Sequence, residues 1–313
     1  MDPNNLVIGI MFLIQSTVGI LGNVSLPAYY LAIYYKKHKV KPLDLILMHL
    51  VIVNVLIILS KGMGNIMIIF VLKLFFNDWS YQFFMYVQRV FRSMSIATIC
   101  LLSVFQAIMI SPRNSCWKNL RVKSPKDIGV YISLCWFLYI MVNVLFPLYM
   151  SIKLRRKNIT KETGFKYYTV VGHDKFTIST YIAFFVFPEI VFSVIITWSN
   201  SSMIVFLYRH KQRVQHIRNT AGFHSKSPES RATKNILVLV FTFLAFYTLS
   251  TIAHGCSALL SYQNWWPISI MSIITLCFPT LSPFLLMSQF SPLSRLCFLW
   301  IKNTESPNII VTV

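Results

Sequence analysis

From Leu6 to Tyr35 the chain runs for 30 residues without one charged side chain. A bilayer core of about 30 Å is crossed by roughly 20 apolar residues in a helix rising 1.5 Å per residue. Six further stretches reach that length: Leu43–Leu72, broken only by Lys61; Gln82–Ile110, holding Arg89 and Arg92; Ile128–Ile152; Phe176–Tyr208, holding Glu189; Asn235–Leu260; and Trp266–Gln289. Lipid offers backbone groups no hydrogen-bond partner, so a span is a helix or part of a closed barrel. Barrel strands alternate apolar and polar residues, and Leu50–Leu59 (LVIVNVLIIL) does not. The sequence therefore predicts an all-α membrane protein, a single seven-helix bundle with a short tail over 290–313. The first run is too long for a signal core and lacks a basic flank, so it is expected to remain as an uncleaved anchor.

Composition closes off the other classes. Hydrophobic residues make up 56% of the chain and charged residues 12%, about half the usual charged fraction of a soluble domain. Disorder is excluded by the apolar content. The net charge of +20 does not indicate nucleic acid, because too few polar residues exist to clothe a soluble surface. The charge belongs to loops. With the N-terminus outside, the inner segments Lys36–Pro42, Ser111–Asp127, Arg209–Lys234 and the tail carry 18 Lys and Arg. The outer loop Lys153–Lys175 is the exception, with seven. Four lysines directly after the first span set N-outside, C-inside. That outer loop also holds the sequon Asn158-Ile159-Thr160, an expected glycosylation site. The sequons at Asn23 and Asn200 fall inside spans and are expected to stay unused.

Little in the sequence resembles catalytic machinery. No phosphate loop, dinucleotide glycine pattern, zinc-spaced cysteine pair or nucleophile elbow is present. Nine acids are scattered along the chain, so paired catalytic carboxylates are not expected. Neither an enzyme, a cofactor nor a metal site is predicted. No internal repeat suggests a transporter, and no filter loop suggests a channel. None of the six cysteines lies in an outer loop, so no structural disulfide is expected. Cys297, after the last span, is a candidate for acylation.

What remains is a set of intramembrane polar residues, which are costly in lipid and so turn inward to find partners. Arg89 and Arg92 are three apart and share a helix face. Arg92 lies roughly 15 Å, and Glu189 roughly 20 Å, below the outer ends of their spans by helical rise. Glu189 is expected to pair with Arg92 or Arg89, either within an outward-facing ligand cavity or as a purely structural ion pair. His254, about six residues below the outer end of the sixth span, is a further cavity candidate or a hydrogen-bonded interior histidine. Asn23 and Asn54 are expected to bond across helices. Pro27, Pro147, Pro188, Pro279 and Pro283 are expected to kink or end theirs.

Specific motifs sharpen the architecture. Gly22-Asn23, Trp136 and Pro188 resemble landmarks of the first, fourth and fifth spans of rhodopsin-like G-protein-coupled receptors. Asp-Arg-Tyr is missing from the third span and Cys-Trp-x-Pro from the sixth, and Ser282-Pro283-Phe284 stands where Asn-Pro-x-x-Tyr is expected. Those departures resemble one branch. Cys100-Leu-Leu-Ser-Val-Phe-Gln-Ala-Ile108 with Ile110-Ser111-Pro112, Tyr208-Arg-His-Lys-Gln-Arg-Val-Gln-His216, Ser230-Arg-Ala-Thr233 and Phe278-Pro-Thr-Leu-Ser-Pro-Phe284 are similar to signatures of the vomeronasal type 1 receptors. His49-Leu50 with Asn54, and Arg89 with Arg92, fit the same pattern, over about Gly19 to Pro292. Many members of that family carry a cysteine in each of the first two outer loops, and this chain lacks both.

The resemblance implies a multi-pass plasma-membrane receptor for pheromone-like small molecules that activates a heterotrimeric G protein, of the inhibitory class. Arg89, Arg92, Glu189 and His254 would line the ligand cavity. Ser111, Pro112, Arg209, His210, Lys211 and Arg213 would face the G protein, although positive-inside topology and attraction to anionic membrane lipids also account for their charge. A bitter-taste-like or odorant-like receptor would share the topology without the third-span and seventh-span blocks, and a small-molecule transporter is a remoter alternative.

Overall fold

The computed structural model describes residues 3–37, 42–70, 78–110, 125–156, 187–218, 228–260 and 266–287. They form seven helices: α1 (Pro3–Lys37), α2 (Pro42–Phe70), α3 (Asp78–Ile110), α4 (Pro125–Arg156), α5 (Phe187–Arg218), α6 (Pro228–Leu260) and α7 (Trp266–Met287). Six carry a described apolar stretch of at least 18 residues, and the described apolar stretch of α6 is Ile236–Ile252 within a 33-residue helix. Two boundaries depart from the hydropathy reading. Helix α5 continues past Tyr208 to Arg218, and α6 starts at Pro228 rather than Asn235. Hydropathy marks where a helix leaves lipid, not where it ends. Lys, Arg and Gln are good helix formers, so both helices extend into water, and Pro228 opens α6 where a missing N–H costs nothing. The expected residues 176–186 of the fifth span lie outside the described residues, as does the tail.

Helix α3 is the hub. Two-thirds of its apolar stretch (67%) is buried in the bundle, against 17% for α4 and 22% for α5. It packs on α2, α4 and α5, while α1, α2 and α7 pack on one another and α6 packs chiefly on α7. The inner-half core gathers Leu26, Leu50, Leu102, Leu239, Phe243 and Phe278; a second cluster further out gathers Phe12, Val53, Ile58, Met94 and Leu276. Ile14, Leu21, Phe137 and Trp198 instead point outward, which suits lipid as solvent and not water.

Hydrocarbon supplies no hydrophobic force between helices, so contact there depends on small residues and polar links. Gly19 and Gly22 let α1 close on its neighbours. A Cβ on Gly19 would stand 2.7 Å from Ile58 Cδ1 of α2, and one on Gly22 2.9 Å from Pro283 Cγ of α7. Pro283 has no N–H, so the Pro279 carbonyl one turn before it loses its helical partner. Asn23 Nδ2 donates to that carbonyl at 2.8 Å, and Ser282 Oγ at 3.3 Å. Asn54 Nδ2 donates to Ser282 Oγ at 2.7 Å. The backbone carbonyl that Pro283 leaves open inside α7 is thus satisfied in part from α1, and Asn54 of α2 binds the serine beside it.

A second link fixes α4. Trp136 Nε1 donates to His49 Nε2 at 2.9 Å, so the proton of a neutral His49 resides on Nδ1. Nδ1 then donates to Thr98 Oγ1 at 3.0 Å, whose own proton goes to the Met94 carbonyl. Helices α2, α3 and α4 are joined with each ring nitrogen used once.

Gly22→Leu should remove surface display of the protein, because α1 cannot move away from Pro283 without losing the Asn23 bond. Gly129→Leu, where a Cβ meets nothing within 4 Å, should be displayed normally. Cell-surface labelling of the two variants checks this.

Candidate functional site

A charge in hydrocarbon persists only with partners, and Arg92 finds them on two neighbouring helices. Its Nε lies 3.6 Å from Glu189 Oε1 of α5. Its Nη1 donates to Ser250 Oγ at 2.8 Å and its Nη2 to Thr251 Oγ1 at 2.6 Å, both on α6. The guanidinium carbon stands 4.6 Å above the centre of the Tyr247 ring, a cation–π distance. The planar fork of five N–H donors makes this possible; a lysine ammonium would not span the same set.

Proton accounting extends the site to α7. Ser250 Oγ lies 2.8 Å from Thr275 Oγ1, and Thr275 donates to the Met271 carbonyl at 2.8 Å. Ser250 therefore accepts from Arg92 and donates to Thr275. Thr251 accepts from Arg92 and has one proton to give, with the Tyr247 carbonyl at 2.9 Å and Glu189 Oε2 at 3.4 Å. The two charged side chains keep 17% and 19% of their surface exposed, so the pair is sheltered but reachable.

A groove of about 550 Å³ opens beside the pair between α5 and α6, walled by Glu189, Ser193, Thr197, Tyr247, Thr251 and Ile252. Small-molecule sites fall in this size range, mostly apolar with a few polar groups. Helices α5 and α6 meet at few points along it.

Of the residues expected at a cavity, the structure brings Arg92 and Glu189 together. Arg89 is half-buried one turn nearer the outer end of α3. His254 lies on α6 one turn beyond Thr251, but its side chain is outside the described residues. Asn158, Ser111 and Pro112 also lie outside them, as do the side chains of His210, Lys211 and Arg213; Arg209 is exposed on the inward extension of α5. Pro188 is the second residue of the described α5. Among the described residues no group of His, Cys, Asp and Glu could hold a metal ion, and Cys100, Cys135 and Cys277 are free thiols.

Sequence reasoning passed over Tyr247, Ser250, Thr251 and Thr275. Hydroxyls in apolar helices usually bond the carbonyl four residues back, as Thr98 and Thr280 do, so Ser and Thr carry no signal of their own. The spacing Tyr247, Thr251, His254, one face of α6, was the available clue.

The chain matches the profile of the vomeronasal organ pheromone receptor family over residues 6–299. It is 43% identical to vomeronasal type-1 receptor 2 of Homo sapiens, covering 91% of this chain and 72% of that protein. It is 40% identical to human vomeronasal type-1 receptor 4 over 93% and 96% of the two chains. An olfactory receptor class A-like protein 1 of Danio rerio is 25% identical over 90% and 88%. The crystal structure of squid rhodopsin superposes with a TM-score of 0.65 at 14% identity, covering 99% of this chain and 89% of that one.

Ser250→Ala and Thr251→Val should each lower thermal stability in detergent by about 1.5–3 kcal/mol, the range for a hydrogen bond to a charged group. Both losses should shrink in an Arg92→Met background, by the part each hydroxyl owes to the guanidinium, and keep the part owed to Thr275 or to Glu189 and the Tyr247 carbonyl. Melting curves of the single and double variants test this; additive losses would mean the hydroxyls serve something else.

Proposed function

Because the chain belongs to the family of vomeronasal organ pheromone receptors, we propose that it binds a small-molecule chemosignal in an outward-facing helical cavity and activates a heterotrimeric G protein of the inhibitory class. Family and fold are those of receptors, and the protein is a multi-pass plasma-membrane protein with the rhodopsin fold. The observation that carries the reading is the Arg92 clamp, which ties α3 to α5, α6 and, through Ser250, α7. Arg89, Arg92, Glu189 and His254 are the cavity residues in this reading.

The mechanism is a population shift. A ligand moves a two-state bundle only by its difference in affinity for the two states. A molecule that hydrogen-bonds Glu189 or Thr251 competes with the guanidinium for the groups that hold α6 near α3 and α5. Each hydrogen bond to a charged group is worth about 1.5–3 kcal/mol, enough to change a state ratio by roughly ten- to a hundredfold. Helix α6 then swings at its inner end and uncovers a groove for the G protein, framed by Ser111, Pro112, Arg209, His210, Lys211 and Arg213.

Reconstituted in vesicles with an inhibitory-class heterotrimer, the protein should accelerate nucleotide exchange on the α subunit when given active fractions of urinary or steroid-like compounds. Glu189→Gln, which weakens the hold on α6 without changing shape, should raise exchange in the absence of any compound severalfold. Uptake of the compounds into vesicles with no exchange would instead indicate a transporter.

A further inference from the structure

The groove between α5 and α6 opens sideways, toward lipid. On α5, Ile190, Val194 and Trp198 recur every four residues and form one stripe along its lip. They are 55%, 61% and 69% exposed, and Ile252 on the opposite lip is 63% exposed. The hydroxyls behind them offer the groove no donor. Ser193 donates to the Glu189 carbonyl at 2.8 Å, Thr197 to the Ser193 carbonyl at 2.8 Å and Thr248 to the Leu244 carbonyl at 2.7 Å. Of the residues that line the groove, Glu189 alone is charged. The passage follows α5 from Glu189 to Ser201, roughly 18 Å by helical rise.

Helices in lipid close on one another over small residues. Ser193, Thr197 and Ser201 on α5 and Thr248 on α6 supply them here, yet the two helices meet at few points. The space left between them ends on the clamp. Glu189, Tyr247 and Thr251 line the groove and are also the groups that hold Arg92. Tyr247 is only 8% exposed, and its hydroxyl has no hydrogen-bond partner, so one donor at the inner wall is left for an occupant. Depth decides what can arrive. Glu189 lies roughly 20 Å below the outer end of its apolar run by helical rise, far from the headgroups. An ionised molecule pays the full cost of charge in hydrocarbon to reach that depth from the side; an uncharged one does not.

We infer that this groove is a lateral gate: an uncharged molecule dissolved in the bilayer passes between α5 and α6 and reaches the Arg92–Glu189 pair from the lipid side. The gate rests on the receptor reading for its purpose and adds to it the ligand's route. Thr197 and Thr248, on opposite walls, set its width.

The test uses adamantyl diazirine, an uncharged photolabel that partitions into lipid, with the full chain in phosphatidylcholine nanodiscs. After illumination, mass spectrometry should find carbene insertion at Glu189, Tyr247 and Thr251 as well as at Leu134, which is exposed on α4. Thr197→Trp and Thr248→Trp each fill the groove from an exposed position, so the added ring displaces no packed neighbour. Both should cut insertion at Tyr247 and Thr251 severalfold and leave that at Leu134 unchanged, and Leu138→Trp on α4 should alter neither. With active urinary or steroid-like fractions, the two groove variants should also slow the onset of nucleotide exchange severalfold. Label on Leu134 with none on Tyr247 or Thr251, undiminished label in both groove variants, or exchange whose onset neither variant slows would each overturn the gate. Label that reaches Tyr247 and Thr251 and is shut out by the two variants, in a protein that drives no nucleotide exchange, would leave the lateral gate standing and remove the receptor reading.

Discussion

A guanidinium cannot sit in hydrocarbon alone, and the way Arg92 is satisfied organises the upper half of this bundle. Its partners come from α5 and α6, and the Ser250 hydroxyl passes the link to α7. Helices α5 and α6 otherwise meet sparingly and leave a groove between them. The position of α6 relative to α3 and α5 in the outer half therefore rests heavily on one cation. Apolar packing around Phe243 and Phe278 holds α6 further in.

The rest of the molecule is built differently. Helices α1, α2 and α7 approach closely over Gly19 and Gly22, and their polar atoms complete one another: the carbonyl released by Pro283 is taken by Asn23, and Asn54 reaches Ser282. Trp136, His49 and Thr98 add α3 and α4 to this unit. Every one of these links is neutral, short and local, and none depends on a pair of opposite charges. The bundle thus divides into a tightly joined body and an outer α5–α6 edge held by an ion pair, an arrangement in which a polar ligand can act on the second without loosening the first.

Much of this was legible in the sequence. Length and apolarity alone pointed to seven helices, because lipid forces a single solution on a long uncharged run. The inward turning of Arg92 and Glu189 followed from the cost of charge in lipid. The choice between Arg92 and Arg89 did not, since both lie on one helix face and only the orientation of α3 against α5 decides. The hydroxyl partners were silent for a different reason: a serine or threonine in a helix can satisfy itself, so its residue type says nothing about a second bond. The helix ends at Arg218 and Pro228 were missed because hydropathy reports the solvent around a helix and not the helix itself. Lys61 was visible as a break in an apolar run, yet its burial among α1, α2 and α3 is a matter of packing.

The dependence of the bundle on the Arg92–Glu189 pair is open to one decisive measurement, surface display of the charge exchange. Arg92→Glu and Glu189→Arg each place two like charges face to face and should abolish display, and the double exchange Arg92→Glu/Glu189→Arg should recover a substantial part of it. A double exchange displayed no better than either single variant would show that the two side chains do not support each other, and the account of α5 and α6 given above would have to be abandoned.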